Sequence, residues 1–362
     1  MPYKISGTTN DSTKIFVIND SNVVEAYMNT SPGAFEIEVG TSGNKIIVGV
    51  NADGQGVAYG SVLAYNGPGT KGVFTGGSTG SNSNVMDYIN ISILGNAADF
   101  GDLLIAKNYV VDTSNGANDR GIIAGGNNTN DIEYINISNN GNATNFGDLT
   151  QTRYPSGATS NNTNNRGIVT GDMWFGGATI DYFAINTTGN ASVFGNLTVD
   201  RVPSATSNGT NDRGVFMGGC LTSYVQTNII DYVTISTTGN ASDFGDITVK
   251  RWMSSATSNL TNNRGVNIGG YDNEGDTINY NTIDYITINS LGNAQDFGDM
   301  VTASNIIGTA TSNGTNNRGV IGCVGSTYSN TISYITITTP GNAPDFGDLT
   351  VSRTHAAAMS NS

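Results

Sequence analysis

At 362 residues the chain has length for two ordinary domains or one large repeat array, and 48 Gly against only 7 Pro exclude collagen and polyproline architectures. A hydrophobic fraction of 37% supplies a core and excludes an acidic disordered chain, while only 12% charged residues leave Asn, Ser, Thr and Gly to cover the surface, as in all-β proteins. The formal charge of −14 sets up a negative field that repels DNA, RNA and anionic lipid, so no nucleic-acid partner is expected.

The first residues, MPYKISGTTNDSTKIF, lack the basic-then-apolar layout of a signal peptide. No later stretch approaches the ~18 apolar residues of a membrane span, so synthesis in a cytoplasm without membrane insertion is expected. Residues 1–65 read as short strands at Tyr3–Ser6, Lys14–Ile18, Val23–Tyr27, Ala34–Val39, Lys45–Val50 and Gly56–Val62, which suits a small β-sandwich domain.

From residue 66 the chain repeats. Phe-Gly followed by Asp or Asn recurs at Phe100, Phe146, Phe194, Phe244, Phe297 and Phe346, and twelve residues before each stands Tyr88, Tyr134, Tyr182, Tyr232, Tyr285 or Tyr334. Between one Phe and the next Tyr, Arg-Gly leads into an apolar run and usually Gly-Gly, as in Arg213 to Gly219. Period-2 alternation bounded by Gly-Asn turns, as in Tyr285 to Ile288, marks strands. Each unit yields four: a small-residue strand such as Ser204 to Ser207, the Arg-Gly strand, the Tyr strand and the Phe-Gly strand. Four strands in units of 46 to 53 residues predict a six-bladed β-propeller.

The ends of the repeat region predict closure. The last stretch, Arg353 to Ser362, matches only the start of a unit, and residues 66–77 match its continuation. One blade is therefore expected from residues 70–105 plus a C-terminal strand over 354–360, leaving no free edge in the ring. Innermost strands crowd around an axis, which accounts for the small residues of Ala158 to Ser160, Ala205 to Ser207, Ala256 to Ser258 and Ala310 to Ser312.

In its order of Arg, Gly-Gly, Tyr and a terminal aromatic, the unit over residues 70–362 resembles the kelch repeat, with Phe where kelch usually has Trp. The strings Asp-Tyr-Ile-x-Ile, Gly-Asn-Ala-x-Asp-Phe-Gly-Asp-Leu-Thr-x-x-Arg and Thr-Ser-Asn-Gly-Thr-Asn resemble propeller repeats in virion proteins of tailed bacteriophages, notably aquatic ones. In residues 1–65, the order Ile-Ser-Gly-Thr, Phe-Glu-Ile-Glu-Val and Ile-Ile-Val-Gly-Val-Asn resembles the transthyretin-like carboxypeptidase regulatory module found at the front of phage tail and decoration proteins. These resemblances imply an all-β chain, an N-terminal docking or spacer sandwich before a kelch-like propeller, in a virion.

Candidate chemistry is sparse. Cys220, Cys323 and the single His355 fall short of a zinc site, and the copper centre of galactose-oxidase propellers needs two His. The arginine triad and Asp-boxes of sialidases are missing too. No catalytic residue, metal or cofactor is therefore expected. Arg153, Arg201, Arg251 and Arg353, with Lys107 in the equivalent place, stand seven residues after the anchor Phe, and Arg120, Arg166, Arg213, Arg264 and Arg318 precede the glycine. Both sets are expected to mend blade-to-blade seams. Asp102, Asp148, Asp246, Asp299 and Asp348 lack the dense spacing of a calcium loop and are assigned to turn hydrogen bonds.

Variation between units is the better guide to recognition. The connection between second and third strands varies in length and carries Trp174, Phe175, Tyr224, Tyr271, Tyr280 and Tyr328, the candidate ligand-binding residues. It should share one mouth of the channel with the linkers between blades. Aromatic rings there suit carbohydrate. The expected role is a virion structural or adhesion protein, such as a head fibre, capsid decoration or tail appendage. It would dock to other virion proteins through residues 1–65, on the face opposite the variable loops, and bind host-surface glycan in multiple copies per particle, with a homo-oligomer among the arrangements. The alternatives are a scaffold for another virion protein and a polysaccharide-degrading enzyme.

Overall fold

The computed structural model divides the chain into two units, residues 1–65 and 66–362. It describes residues 71–173, 177–222, 224–274, 277–304, 309–325 and 328–362, together with the backbone of six strands within residues 4–58. Those six form two antiparallel three-stranded sheets. One comprises Lys4–Ile5, Lys14–Ile18 and Val24–Asn29, the other Ala34–Glu38, Lys45–Val50 and Gly56–Ala58. The sandwich and docking face expected of this unit rest on side chains outside the described residues, and so does the passage through residues 66–70 from which its orientation is expected.

The second unit is a six-bladed β-propeller of antiparallel four-stranded sheets. Blade 1 combines Ala357–Ser360 with Lys71–Thr75, Ser83–Asn90 and Ala98–Lys107. The C-terminal strand pairs in register from Ala357 opposite Thr75 to Ser360 opposite Gly72, so the expected closure is present. Its start differs from the expected residue 354: Thr354 makes only an isolated bridge to Ser78, and His355 turns away at φ 53° before the strand begins. In blades 2 to 6 the innermost strands are Val111–Ser114, Gly157–Ser160, Ser204–Ser207, Ser255–Ser258 and Thr309–Ser312. Blade 5 carries an additional short strand, Tyr271–Asp272, on its long third strand Ile278–Thr287.

Inside each blade the repeated Tyr and Phe meet edge to face, with ring centroids 6.1 to 6.3 Å apart. Such pairs add to the area they bury. The apolar clusters lie between blades: Ile122, Ile132, Phe146 and Leu149 of blade 2 pack on Val169, Phe183 and Ile185 of blade 3. A blade alone therefore cannot bury its faces, and burial of roughly 1.5–3 kcal/mol per large apolar side chain is realised only in the ring.

Four polar devices join neighbouring blades, three at every seam and one at five of the six. At the outer edge, Gly141 N–H donates to Phe100 O at 2.8 Å, Asp102 N–H to Asn142 Oδ1 at 3.0 Å and Ala143 N–H to Asp102 O at 2.8 Å. The pattern recurs at the other five seams, so the residue after Phe-Gly works through its backbone rather than through a turn of its own. Gly101 is required there: at φ 142° a Cβ would stand 2.5 Å from Gly141 O. The Arg of each Arg-Gly lies 4.4 to 5.0 Å over the Tyr of its own blade and donates to carbonyls of the next, as Arg166 does to Ile235 O and Ser236 O.

The third device is an ion pair sealed in the seam. Arg153 meets Asp181 at 2.5 Å, Arg201 meets Asp231 at 2.5 Å, Arg251 meets Asp284 at 2.7 Å and Arg353 meets Asp87 at 2.9 Å, while Lys107 meets Glu133 at 2.7 Å. At the seam between blades 5 and 6 both positions are serine, Ser304 and Ser333. Cation and anion are thus exchanged or lost together, as partners in a dry seam must be.

Around the channel, serine hydroxyls form the fourth device. Ser114, Ser160, Ser207, Ser258 and Ser312 each donate to the innermost-strand Ser carbonyl of the preceding blade at 2.6 to 2.7 Å, and Ser362 closes the circle onto Ser312 O at 2.7 Å. Just beyond them, the six turn positions read Ser362, Gly116, Asn162, Gly209, Leu260 and Gly314 from blade 1 to blade 6. Each Gly lies between two larger neighbours: a Cβ on Gly314 would come 2.8 Å from Leu260 and 3.2 Å from Ser362.

Candidate functional site

At the other mouth of the channel, each of the five linkers that follow a buried cation turns into the next innermost strand. The loop between second and third strands of the receiving blade hydrogen-bonds to that linker. Ser78 N–H donates to Thr354 O at 2.7 Å, Asn127 N–H to Asn108 O at 3.1 Å and Met173 N–H to Tyr154 O at 2.9 Å, and Trp252 and Tyr271 exchange backbone bonds of 3.0 Å. Linkers and variable loops therefore share one face, as expected from the sequence.

The linker side chains form an aromatic collar. Tyr109 stacks on His355 with centroids 4.1 Å apart and meets Tyr154 edge-on at 5.8 Å, and Trp252 packs at 5.2 Å against Tyr271. Met173, Val202, Cys220 and Met253 complete one apolar cluster with Tyr109, Tyr154, Trp252 and Tyr271. Trp252 and Cys220 are buried, whereas Tyr109, Tyr154, Met253, Tyr271 and His355 are half-buried. Tyr109, Met253 and His355 occupy equivalent linker positions at φ 53 to 54°, a left-handed conformation that side-chain-bearing residues seldom adopt outside sites where the surroundings impose it.

Burial disfavours the charged forms of three collar groups. It pulls the His355 pKa down to about 4 and pushes that of Tyr271 up to about 12, with Tyr109 also raised. Near the rim Lys250 pairs with Glu274 and, at 3.6 Å, with Asp272. Beneath the collar the channel opens into about 450 Å³ of space, mouth included, walled by Ser156, Ser204, Ser254, Ser255, Thr309 and a belt of alanines. Asp112 stands where the other five blades carry Ala158, Ala205, Ala256, Ala310 and Ala358. Thr75 Oγ1 donates to its Oδ2 at 2.8 Å, while its Oδ1 is buried without a partner, and burial holds its pKa well above the usual carboxylate range. Among the described residues no group of three or more His, Cys, Asp and Glu side chains converges as a metal site.

The six residues singled out by sequence separate here. Tyr271 joins the collar. Tyr224 and Tyr328 stand on the rim, about half exposed, and Tyr280 is half-buried on the blade 5 hairpin, where its N–H donates to Gly270 O at 2.9 Å. Trp174 and Phe175 lie outside the described residues. Tyr109, Tyr154, Trp252 and His355 were not legible as a set, because each comes from a different linker. A signal existed: they follow the repeated Arg or Lys by one or two positions, where the units also differ.

Comparison with known proteins adds the fold and no more. No family model matches the chain, and no curated protein matches it. A solved structure described as "Structure of YjhT" is similar with a TM-score of 0.55 over 71% of this chain and 88% of that one, at 11% sequence identity. A likeness at that identity carries the propeller architecture alone.

Proposed function

We propose that the protein is a structural and adhesion component of a tailed-phage virion, and that its collar binds host-surface glycan. The observation that carries this reading is the gathering of Tyr109, Tyr154, Trp252, Tyr271 and His355 at the mouth that also bears the variable loops. The half-buried rings of Tyr109, Tyr154, Tyr271 and His355 offer apolar faces to sugar C–H groups, and Ser156 Oγ, which has no partner among the described residues, lies below them. The virion assignment rests on the repeat strings that resemble phage propellers. Binding rather than turnover is the proposed work, because the mouth is built of ring faces and hydroxyls suited to gripping a sugar.

The test is binding of the purified chain to host capsular and surface polysaccharide, with Tyr109→Ala and Tyr271→Ala variants alongside. Binding that falls at least tenfold in either variant supports the reading. Shortening of the polysaccharide during incubation would replace it with an enzymatic role, and wild-type protein that neither binds nor cleaves would leave the scaffold role in its place.

A further inference from the structure

Lys71 departs from the pattern of the second strands. The five equivalent positions hold Arg120, Arg166, Arg213, Arg264 and Arg318. Lys71 keeps part of their role, donating across the seam to Ser138 O at 3.1 Å. Its second bond has no counterpart among the described residues of the other blades: Nζ donates to Asn140 Oδ1 at 2.7 Å. The residue before the turn glycine is Leu94, Thr188, Thr238, Leu291 or Pro340 in the other blades. The single Lys and the single Asn at these two positions therefore face each other across the same seam.

The surroundings suit a reaction between them. Lys71 is only 5% exposed, and its ammonium lies 4.6 Å from the Tyr88 ring centre and 5.3 Å from that of Phe100. Burial lowers its pKa, against the opposing pull of the Asp119 carboxylate. A desolvated lysine amine is a nucleophile. The hydrogen bond to Oδ1 holds Nζ against the Asn140 carboxamide, from which rotation about the Asn140 side-chain bonds turns the carbon toward the amine, and Asn140 itself is exposed, so a leaving group escapes to solvent. Two groups held in this way react as if at very high concentration.

We propose that Lys71 and Asn140 condense into an isopeptide bond that joins blade 1 covalently to blade 2. The ammonium first gives a proton to solvent or to the nearby Asp119 carboxylate. The Nζ lone pair then forms a bond to Cγ of Asn140, and the carbonyl π pair moves onto Oδ1. When that pair returns, the Cγ–Nδ2 bond breaks and Nδ2 departs as ammonia, taking up the proton that Nζ loses. One C–N bond replaces another, nothing is oxidised or reduced, and loss of ammonia to solvent makes the step irreversible. The product fastens the strand that the C-terminal segment zips onto.

Intact-mass spectrometry of the full chain tests this directly. The expected mass is one ammonia below that of the sequence, with a branched peptide linking Lys71 to Asn140 and no tryptic cleavage after Lys71. Lys71→Arg restores the residue of the other blades and Asn140→Thr that of blades 3 and 4; both should fold and regain the full mass. A wild-type chain of full mass would overturn the proposal, leaving a hydrogen bond only. Loss of ammonia that persists in Lys71→Arg would also overturn it, assigning the loss to succinimide formation at an Asn-Gly step.

Discussion

Arg201→Ser probes whether the seam cations are structural. Arg201 and Asp231 are both fully buried, and besides its 2.5 Å contact with the carboxylate the guanidinium donates to Gly218 O at 2.9 Å and Phe216 O at 3.1 Å. Removing one partner of a buried pair costs about 3–5 kcal/mol. The Thr198 N–H and hydroxyl still donate to Asp231, at 3.1 and 2.7 Å, which favours the lower end, while each abandoned carbonyl adds up to ~1 kcal/mol. A loss of about 4 kcal/mol is expected. Arg201→Ser with Asp231→Ser installs the two residues, Ser304 and Ser333, that stand at these positions between blades 5 and 6, and removing the stranded charge should return about 2 kcal/mol of that loss. Denaturant unfolding of wild type, both single variants and the double variant, followed by circular dichroism, gives the coupling. A double variant no more stable than Arg201→Ser, or a single loss below ~1 kcal/mol, would refute the argument.

Three further outcomes follow from the geometry. Asp112→Ala combined with Thr75→Ala, matching Ala158 and Ala124 of other blades, should stabilise the protein by about 1–2 kcal/mol at neutral pH, because it removes a buried carboxyl oxygen without a partner and strands no hydroxyl. The carboxyl stays protonated in the fold at pH values where the unfolded chain ionises it. Wild-type stability should therefore fall as pH rises from about 3.8 toward the raised folded value, and urea midpoints across that range should show a shallower decline in the variant. His355 behaves oppositely: with its pKa near 4 in the fold against 6.5 unfolded, it loses stability as pH falls from about 6.5 to about 4, and His355→Phe should flatten that slope in thermal melts. Gly101→Ala should cost about 3 kcal/mol, seen as a lowered denaturant midpoint, since its Cβ meets Gly141 O and its φ is positive.

The propeller was legible because six copies of one pattern average out local ambiguity. Tyr and Phe at constant spacing fix the third and fourth strands, and the half-units at Lys71 and Ser360 fix the closing pair. The identity of the seam partners was harder to read. Arg201 and Asp231 are thirty residues apart in different blades, and only the shared exceptions, Lys107 with Glu133 and Ser304 with Ser333, connect their columns. The collar escaped for a related reason. Its rings come one at a time from linkers of unlike sequence, so Tyr109 and His355 become neighbours only when the circle closes. Loop length drew attention to Tyr224 and Tyr328, which stand apart on the rim.

The alternation of Gly116, Gly209 and Gly314 with Asn162, Leu260 and Ser362 imposes a parity rule on this architecture. A circle of alternating large and small occupants can be tiled only by an even number of members. Gain or loss of one blade would set two bulky residues, or two glycines, side by side at the hub. Descendants of this chain should therefore grow or shrink by pairs of units, and single-unit duplications should survive only with a compensating change at one of these six turns.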